Sequence, residues 1–249
     1  MFTLARLELY RLFLSPLAWV VLASSQLILA YLFLTHIDYF VQIQAKISAI
    51  PGAPGVTELI AIPLLNNAAT IMLLIAPLIT MRLIAEERRN DSLPLLISAP
   101  LSVQQIVLGK FIGTFSFFIV LLILIISMPL SLLIGSDIDL YLLAASFLGL
   151  SLLAASFTAI GLFFSSLTKQ PTIAAVTTFA SLFLLWIIDW AGSDNMAEQA
   201  SLFSWLSLIR HFEPMLQGVV ATSDISYYLI IISTFILLTI RRLDSERIN

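Results

Sequence analysis

Ile106-Val-Leu-Gly-Lys110-Phe-Ile-Gly-Thr-Phe115-Ser-Phe-Phe-Ile-Val120-Leu-Leu-Ile-Leu-Ile125-Ile-Ser-Met-Pro-Leu130-Ser-Leu-Leu-Ile134 decides the fold. It holds a single charge, Lys110, near its start. A hydrocarbon core of ~30 Å is crossed by about 20 helical residues, so this run is long enough to span a bilayer. Five more segments have the same character: Leu17–Leu34, Ile62–Leu83, Leu140–Leu162, Thr172–Trp190 and Tyr227–Ile240. The last is short unless it begins near Ile225. Composition agrees. The chain is 60% hydrophobic and only 11% charged, against about 25% charged in a soluble domain. The expected class is an all-α integral membrane protein with six transmembrane helices, built as one transmembrane domain over residues 1–249.

The basic residues give the chain a direction. With the N-terminus inside, the inner segments carry Arg6, Arg11, Arg82, Arg88, Arg89, Lys110, Lys169, Arg241, Arg242 and Arg247. The outer ones carry only Lys46 and Arg210. Positive charge is retained on the cytosolic side, so both termini are expected there. No cleavable signal pattern precedes the first apolar stretch, which is read as a retained helix. Residues Met1–Leu14 are expected to form an interfacial helix, with Phe2, Leu9, Leu12 and Phe13 on one side.

Three outer connections follow from the spans. Residues 36–61 form a loop holding Pro51-Gly52-Ala53-Pro54-Gly55, a turn signal. A short turn lies near Gly135–Asp139. Residues 191–224 begin polar and become amphipathic through Leu202, Phe203, Trp205, Leu206, Leu208, Ile209 and Phe212. That pattern suits a re-entrant or interfacial outer helix before the last span, with Trp205 at headgroup level. No internal repeat or low-complexity tract is present.

The densest charge lies between spans two and three, in the cytosolic segment 86–102. Glu86, Glu87, Arg88 and Arg89 continue span two as a charged helical turn. Asp91 or Ser92 is placed to cap a new short helix, with Pro94 in its first turn. Leu93, Leu95, Leu96 and Ile97 give that helix an apolar surface, and Pro100 ends it. Ser102-Val-Gln-Gln105 reads as a capping box opening span three. A short apolar helix in the cytosol either lies on the membrane or meets a partner surface.

The order and spacing of these residues resemble the cytosolic signature of type-2 ABC transporter permeases. The residues that carry the likeness are Glu86-Glu87-Arg88-Arg89, Ser92-Leu93, Leu95-Leu96-Ile97-Ser98-Ala99-Pro100 and Gly109-Lys110-Phe111. The pattern is most similar to the gliding-motility and nitrous-oxide-reductase-maturation branch. Phe212, Gly218, Asp224, Tyr227 and Tyr228, then Arg241-Arg242-Leu243, are similar to its closing pattern. One departure is clear: Asp91-Ser92-Leu93-Pro94 stands where the family has Gly-Thr-x-Glu. The glycine's backbone freedom and a carboxylate are lost, so this copy is expected to couple differently or to pair with a more regular permease.

The resemblance implies a membrane unit of two permease copies or paralogues with two ABC ATPase subunits below. It assigns ATPase coupling to Glu86, Glu87, Arg88, Arg89, Ser92, Leu93, Leu95, Leu96, Ile97 and Pro100, with a coupling helix near Ser92–Ser98. No GxxxxGK[ST] is present, since Gly109-Lys110-Phe111 lacks the earlier glycine and the hydroxyl. ATP and its magnesium are therefore expected on the partner chain, with no cofactor, metal or catalytic residue here. Membrane lipids and a periplasmic partner are further expected contacts, nucleic acid is not, and the expected location is the bacterial inner membrane.

Two rival classes are weaker. An ion-coupled transporter or channel places ionisable groups inside the membrane. Here Asp189 sits near one end of span five. The polar pair Asn66 and Asn67 either lines a path or bonds helix to helix. An intramembrane enzyme needs a nucleophile with a base, or a metal cluster. The chain has no cysteine, and its two histidines, His36 and His211, both lie in outer segments. His211 beside Glu213 is the one acid–base candidate. A third reading keeps the permease fold but has it transmit force to an envelope partner. The outer segments carry Asp38, Glu58, Asp137, Asp139, Asp189, Asp194, Glu198, Glu213 and Asp224, which makes that surface anionic.

Overall fold

In the computed structural model, residues 1–47, 54–92, 101–192 and 205–248 are described. All regular structure among them is helical. Helix α1 is Phe2–Leu14 and α2 is Pro16–Ile47. A π-helical turn, Thr57–Ala61, leads into α3, Ile62–Thr80. Then come α4, Ala85–Arg89, and α5, Val103–Ser131. Helix α6 is Leu140–Leu167, α7 Pro171–Gly192, α8 Leu208–Leu216 and α9 Thr222–Ile248. Six of these, α2, α3 with its flanking turns, α5, α6, α7 and α9, are long and apolar enough to cross a membrane. The protein is a multi-pass membrane protein.

Helix starts follow local chemistry. Ser102 and Gln105 form the expected capping box: Gln105 N–H donates to Ser102 Oγ, and Ser102 N–H donates to Gln105 Oε1, both at 3.2 Å. Asp139 accepts from the N–H groups of Tyr141 and Leu142 and so starts α6. Pro16 and Pro171 open α2 and α7, where a missing N–H costs nothing.

Helix α6 is the axis of the bundle. It packs against α3, α5, α7, α8 and α9. Leu153, Ala154, Phe157 and Ile160 on it are fully buried, while α2, α7 and α9 turn many large apolar side chains outward. Outward apolar faces are what a lipid-facing helix requires.

Four expectations change. Helix α2 continues to Ile47, so residues 36–47 are helix and not loop. The last helix runs from Thr222 to Ile248, about 40 Å at 1.5 Å per residue, because its charged end stays helical beyond the apolar window. Helix α1 does not use Phe2, which is 78% exposed. It buries Ala5 and Glu8 and lies on α5. Helix α8 does not spend its apolar face on lipid: Leu208, Phe212 and Met215 are buried. Met215 and Phe212 instead meet α6 at Gly149. Leu202 and Phe203 lie outside the described residues, as do Pro51, Gly52 and Ala53.

Candidate functional site

Both termini and the Glu86–Arg89 turn share one end of the bundle, here the basic face. The chain reaches it through a break. Pro77 lies inside α3, and α3 ends at Thr80 with a turn before α4. Ser165 of α6 repairs the break. Its hydroxyl accepts from the N–H groups of Ile84 and Ala85 at 3.0 and 3.1 Å and donates to Met81 O at 3.0 Å. Ile84 and Ala85 are fully buried, so no water replaces these bonds. One turn earlier, Gly161 leaves room for the Thr80 side chain, which a Cβ there would overlap.

The turn ends in a Schellman arrangement. Ser92 N–H donates to Glu87 O at 3.0 Å across Asp91, whose φ is +51°. Asp91 thus adopts the left-handed conformation that glycine would take without strain. Asp is among the few non-glycine residues that tolerate this region, so the turn forms without the glycine, at a small cost in strain. Asp91 and Ser92 terminate α4, and Ser92 Oγ also donates to Glu87 O. Leu93, Leu95, Leu96, Ile97 and Pro100, on which the expected coupling helix falls, lie outside the described residues.

The four charges of α4 divide into two pairs. Glu86 and Arg89 are the more exposed two and pair weakly with each other at 3.8 Å, with Glu86 at the rim of the cavity beside α1. Glu87 and Arg88 turn inward. Glu87 Oε1 accepts from Lys110 Nζ at 2.8 Å, and Lys110 also reaches Glu8 Oε2 at 3.4 Å. Arg88 Nη2 donates to both carboxylate oxygens of Glu246 at 2.8 and 2.9 Å. Three helices are thereby tied to the turn: α1 by Glu8, α5 by Lys110 and α9 by Glu246. Lys110 is central, with a side chain only 2% exposed. Arg11 stands farther off, 3.6 Å from Glu87 and 4.0 Å from Glu8.

Sequence reading missed Glu8, Glu246 and the structural use of Lys110. One signal was available. Gly109 and Gly113 are four apart and bracket Lys110. A Cβ on Gly109 would stand 2.7 Å from Leu4 Cδ2, and one on Gly113 would stand 2.7 Å from Ala5 O. Small residues at this spacing mark a close helix crossing, here of α1 on α5. The crossing carries Glu8 to Lys110.

At the opposite end, His211 does not pair with Glu213, which is exposed. Its Nδ1 lies 2.7 Å from Asp224 Oδ1 and its Nε2 3.2 Å from Trp205 O, with the ring stacked on Tyr227. Tyr227 and Tyr228 donate to the carbonyls of Leu206 and Leu208. These groups are spent holding α8 to α9. The asparagines also separate. Asn67 Nδ2 lies 3.4 Å from His36 Nε2 and joins α3 to α2, whereas Asn66 is exposed on the outside of α3 beside Thr70. Among the described residues no cluster of His, Asp or Glu could hold a metal ion.

The model of the ABC-2 family transporter proteins matches residues 39–240, well over half of the chain. The chain belongs to this family. As an ABC-2 transporter membrane domain it is a permease component of an ABC transporter, which implies an ABC ATPase partner and, typically, a dimeric permease. The matched region includes α4, Lys110 and the Ser165 bridge. It leaves out α1, with Glu8, and the C-terminal Arg242 and Glu246. No curated protein matches the chain.

Proposed function

We propose that this ABC-2 permease subunit receives the work of a separate ABC ATPase at the Glu86–Ser102 segment of its cytosolic face. The supporting observation is that α4 is tied internally, through Lys110 to α5 and through Glu246 to α9. A load applied to the turn would move three helices together rather than fray one. Glu86 and Arg89 remain outside and would meet the ATPase. Catalysis, ATP and magnesium belong to that partner. The Lys and Arg asymmetry supports the reading that both termini lie in the cytosol, and the membrane of this reading is a bacterial inner membrane. The charged signature also favours the gliding-motility and nitrous-oxide-reductase-maturation branch.

Asn66 favours transport between two permease copies. A polar amide facing hydrocarbon is costly, and the second copy or a polar path between them would satisfy it. Force transmission to a periplasmic partner is the alternative on the same fold. The test is co-purification with an ABC ATPase encoded beside this gene. Glu86→Lys and Leu96→Asp should each weaken association or uncouple ATP hydrolysis while insertion persists. Unchanged association and coupling in both variants would overturn the assignment.

A further inference from the structure

A cavity of about 350 Å³ opens on the basic face between α1, the start of α2, the end of α3 and the charged turn of α4. Its walls have two characters. Leu12, Leu17 and Leu78 supply the apolar part, and the cations Arg11, Arg82 and buried Lys110 stand beside the carboxylates Glu8, Glu86 and Glu87 in the polar part. The carboxylates present do not neutralise these cations evenly. Glu8 and Glu87 are engaged by Lys110, with Arg11 at the longer distances, and Glu86 is paired with Arg89. Arg82 is exposed at the end of the span and makes no ion pair among the described residues. An unneutralised guanidinium beside a half-held one selects an anion, and arginine suits the oxygens of a phosphate. The leucines require that the anion be attached to something apolar. The depth agrees, because the cavity lies where α2 begins at Pro16 and α3 ends at Thr80, at the basic-face end of both spans and so at the level of lipid headgroups.

We propose that this cavity seats the phosphodiester headgroup of a membrane phospholipid, with Arg82 and Arg11 on the phosphate and the first methylenes of the acyl chains against Leu12, Leu17 and Leu78. The bound lipid wedges between α1 and the end of α3, beside the Lys110 network.

The test uses the purified full chain in dodecyl maltoside, which contains no phosphate. The probes are dihexanoyl phosphatidylglycerol, dihexanoylglycerol with the same chains and no phosphate, and inorganic phosphate alone. The phospholipid should bind saturably and the other two at least about tenfold more weakly. Arg82→Ala should weaken phospholipid binding about tenfold, and Arg11→Ala/Arg82→Ala further still. Arg82→Ala breaks no ion pair within the described chain, so it remains informative if the Arg11 variant loosens α1. Arg6→Ala/Lys169→Ala removes equal charge elsewhere and should leave binding unchanged. Equal binding of dihexanoylglycerol would overturn the phosphate contact. Equal binding of inorganic phosphate would overturn the lipid assignment. An unaffected Arg82→Ala, or an equal loss in the control pair, would overturn the site.

Discussion

Replacing Lys110 with methionine removes one charge and keeps most of the apolar stem. In the native protein its ammonium stands 2.8 Å from Glu87 and 3.4 Å from Glu8. Methionine leaves the two carboxylates facing each other at a site where the lost cation was 2% exposed. Breaking a buried ion pair from one side costs about 3–5 kcal/mol. Arg11 remains 3.6 and 4.0 Å away and recovers part of this, though its side chain is 57% exposed and screened. The expected net loss is about 3 kcal/mol. For a chain of this length that lowers the unfolding temperature by about 6–12 °C. Thermal unfolding in detergent, followed by tryptophan fluorescence, reads the shift. Removing Glu87's charge as well should recover stability, so Lys110→Met/Glu87→Gln should exceed Lys110→Met by about 1 kcal/mol or more. A Lys110→Met shift within about 0.5 kcal/mol of wild type, or strictly additive effects in the pair, would show that the network does not hold this face together.

Ser165→Ala leaves the buried N–H groups of Ile84 and Ala85 without an acceptor. At about 1–3 kcal/mol for each of the two orphaned groups, a loss of about 2–6 kcal/mol is expected in the same assay, with faster hydrogen exchange confined to residues 81–89. Asp91→Gly should act in the other direction, raising stability by about 0.5–1 kcal/mol, because glycine occupies φ +51° without strain. Asp91→Val should lower it, and equal unfolding temperatures for the two would remove the left-handed turn from the account.

The six spans were legible because a membrane helix is a local pattern. Apolar length alone locates it: four of the expected spans fell within the helices found, and Ile62–Leu83 and Ile106–Ile134 ran three residues past Thr80 and Ser131. The capping box at Ser102 was legible for the same reason: its two partners are three residues apart. Helix ends in water were not legible from hydropathy. Residues 36–47 mix polar with apolar side chains, and Ile37 and Phe40 among them pack on the core, while residues 241–248 stay helical although polar, with Leu243 buried and Glu246 paired to Arg88. The inward contacts of α8 were half legible. The pattern Leu208, Phe212 and Met215 defined a face, but nothing local said that the face would meet Gly149 of α6 and not lipid.

The charged turn was legible as a cluster, but its division into an outer and an inner pair was not. Four adjacent charges invite a single role, but residues three apart share a helix face and neighbours do not. Glu86 and Arg89 therefore point one way, and Glu87 and Arg88 turn to partners 23 and 158 residues distant. Such partners are set by which helices cross, and the crossing of α1 over α5 is written in Gly109 and Gly113 rather than in any charge. This separates two kinds of failure at the proposed coupling site. Glu86→Lys should disturb only the meeting with the ATPase and leave the unfolding temperature unchanged. Glu87→Lys should lower the unfolding temperature first, by placing a second cation beside Lys110, and lose coupling as a consequence. If both variants lost coupling at unchanged stability, all four charges would be facing the ATPase, and the inward ties to α1, α5 and α9 would play no part in carrying its work.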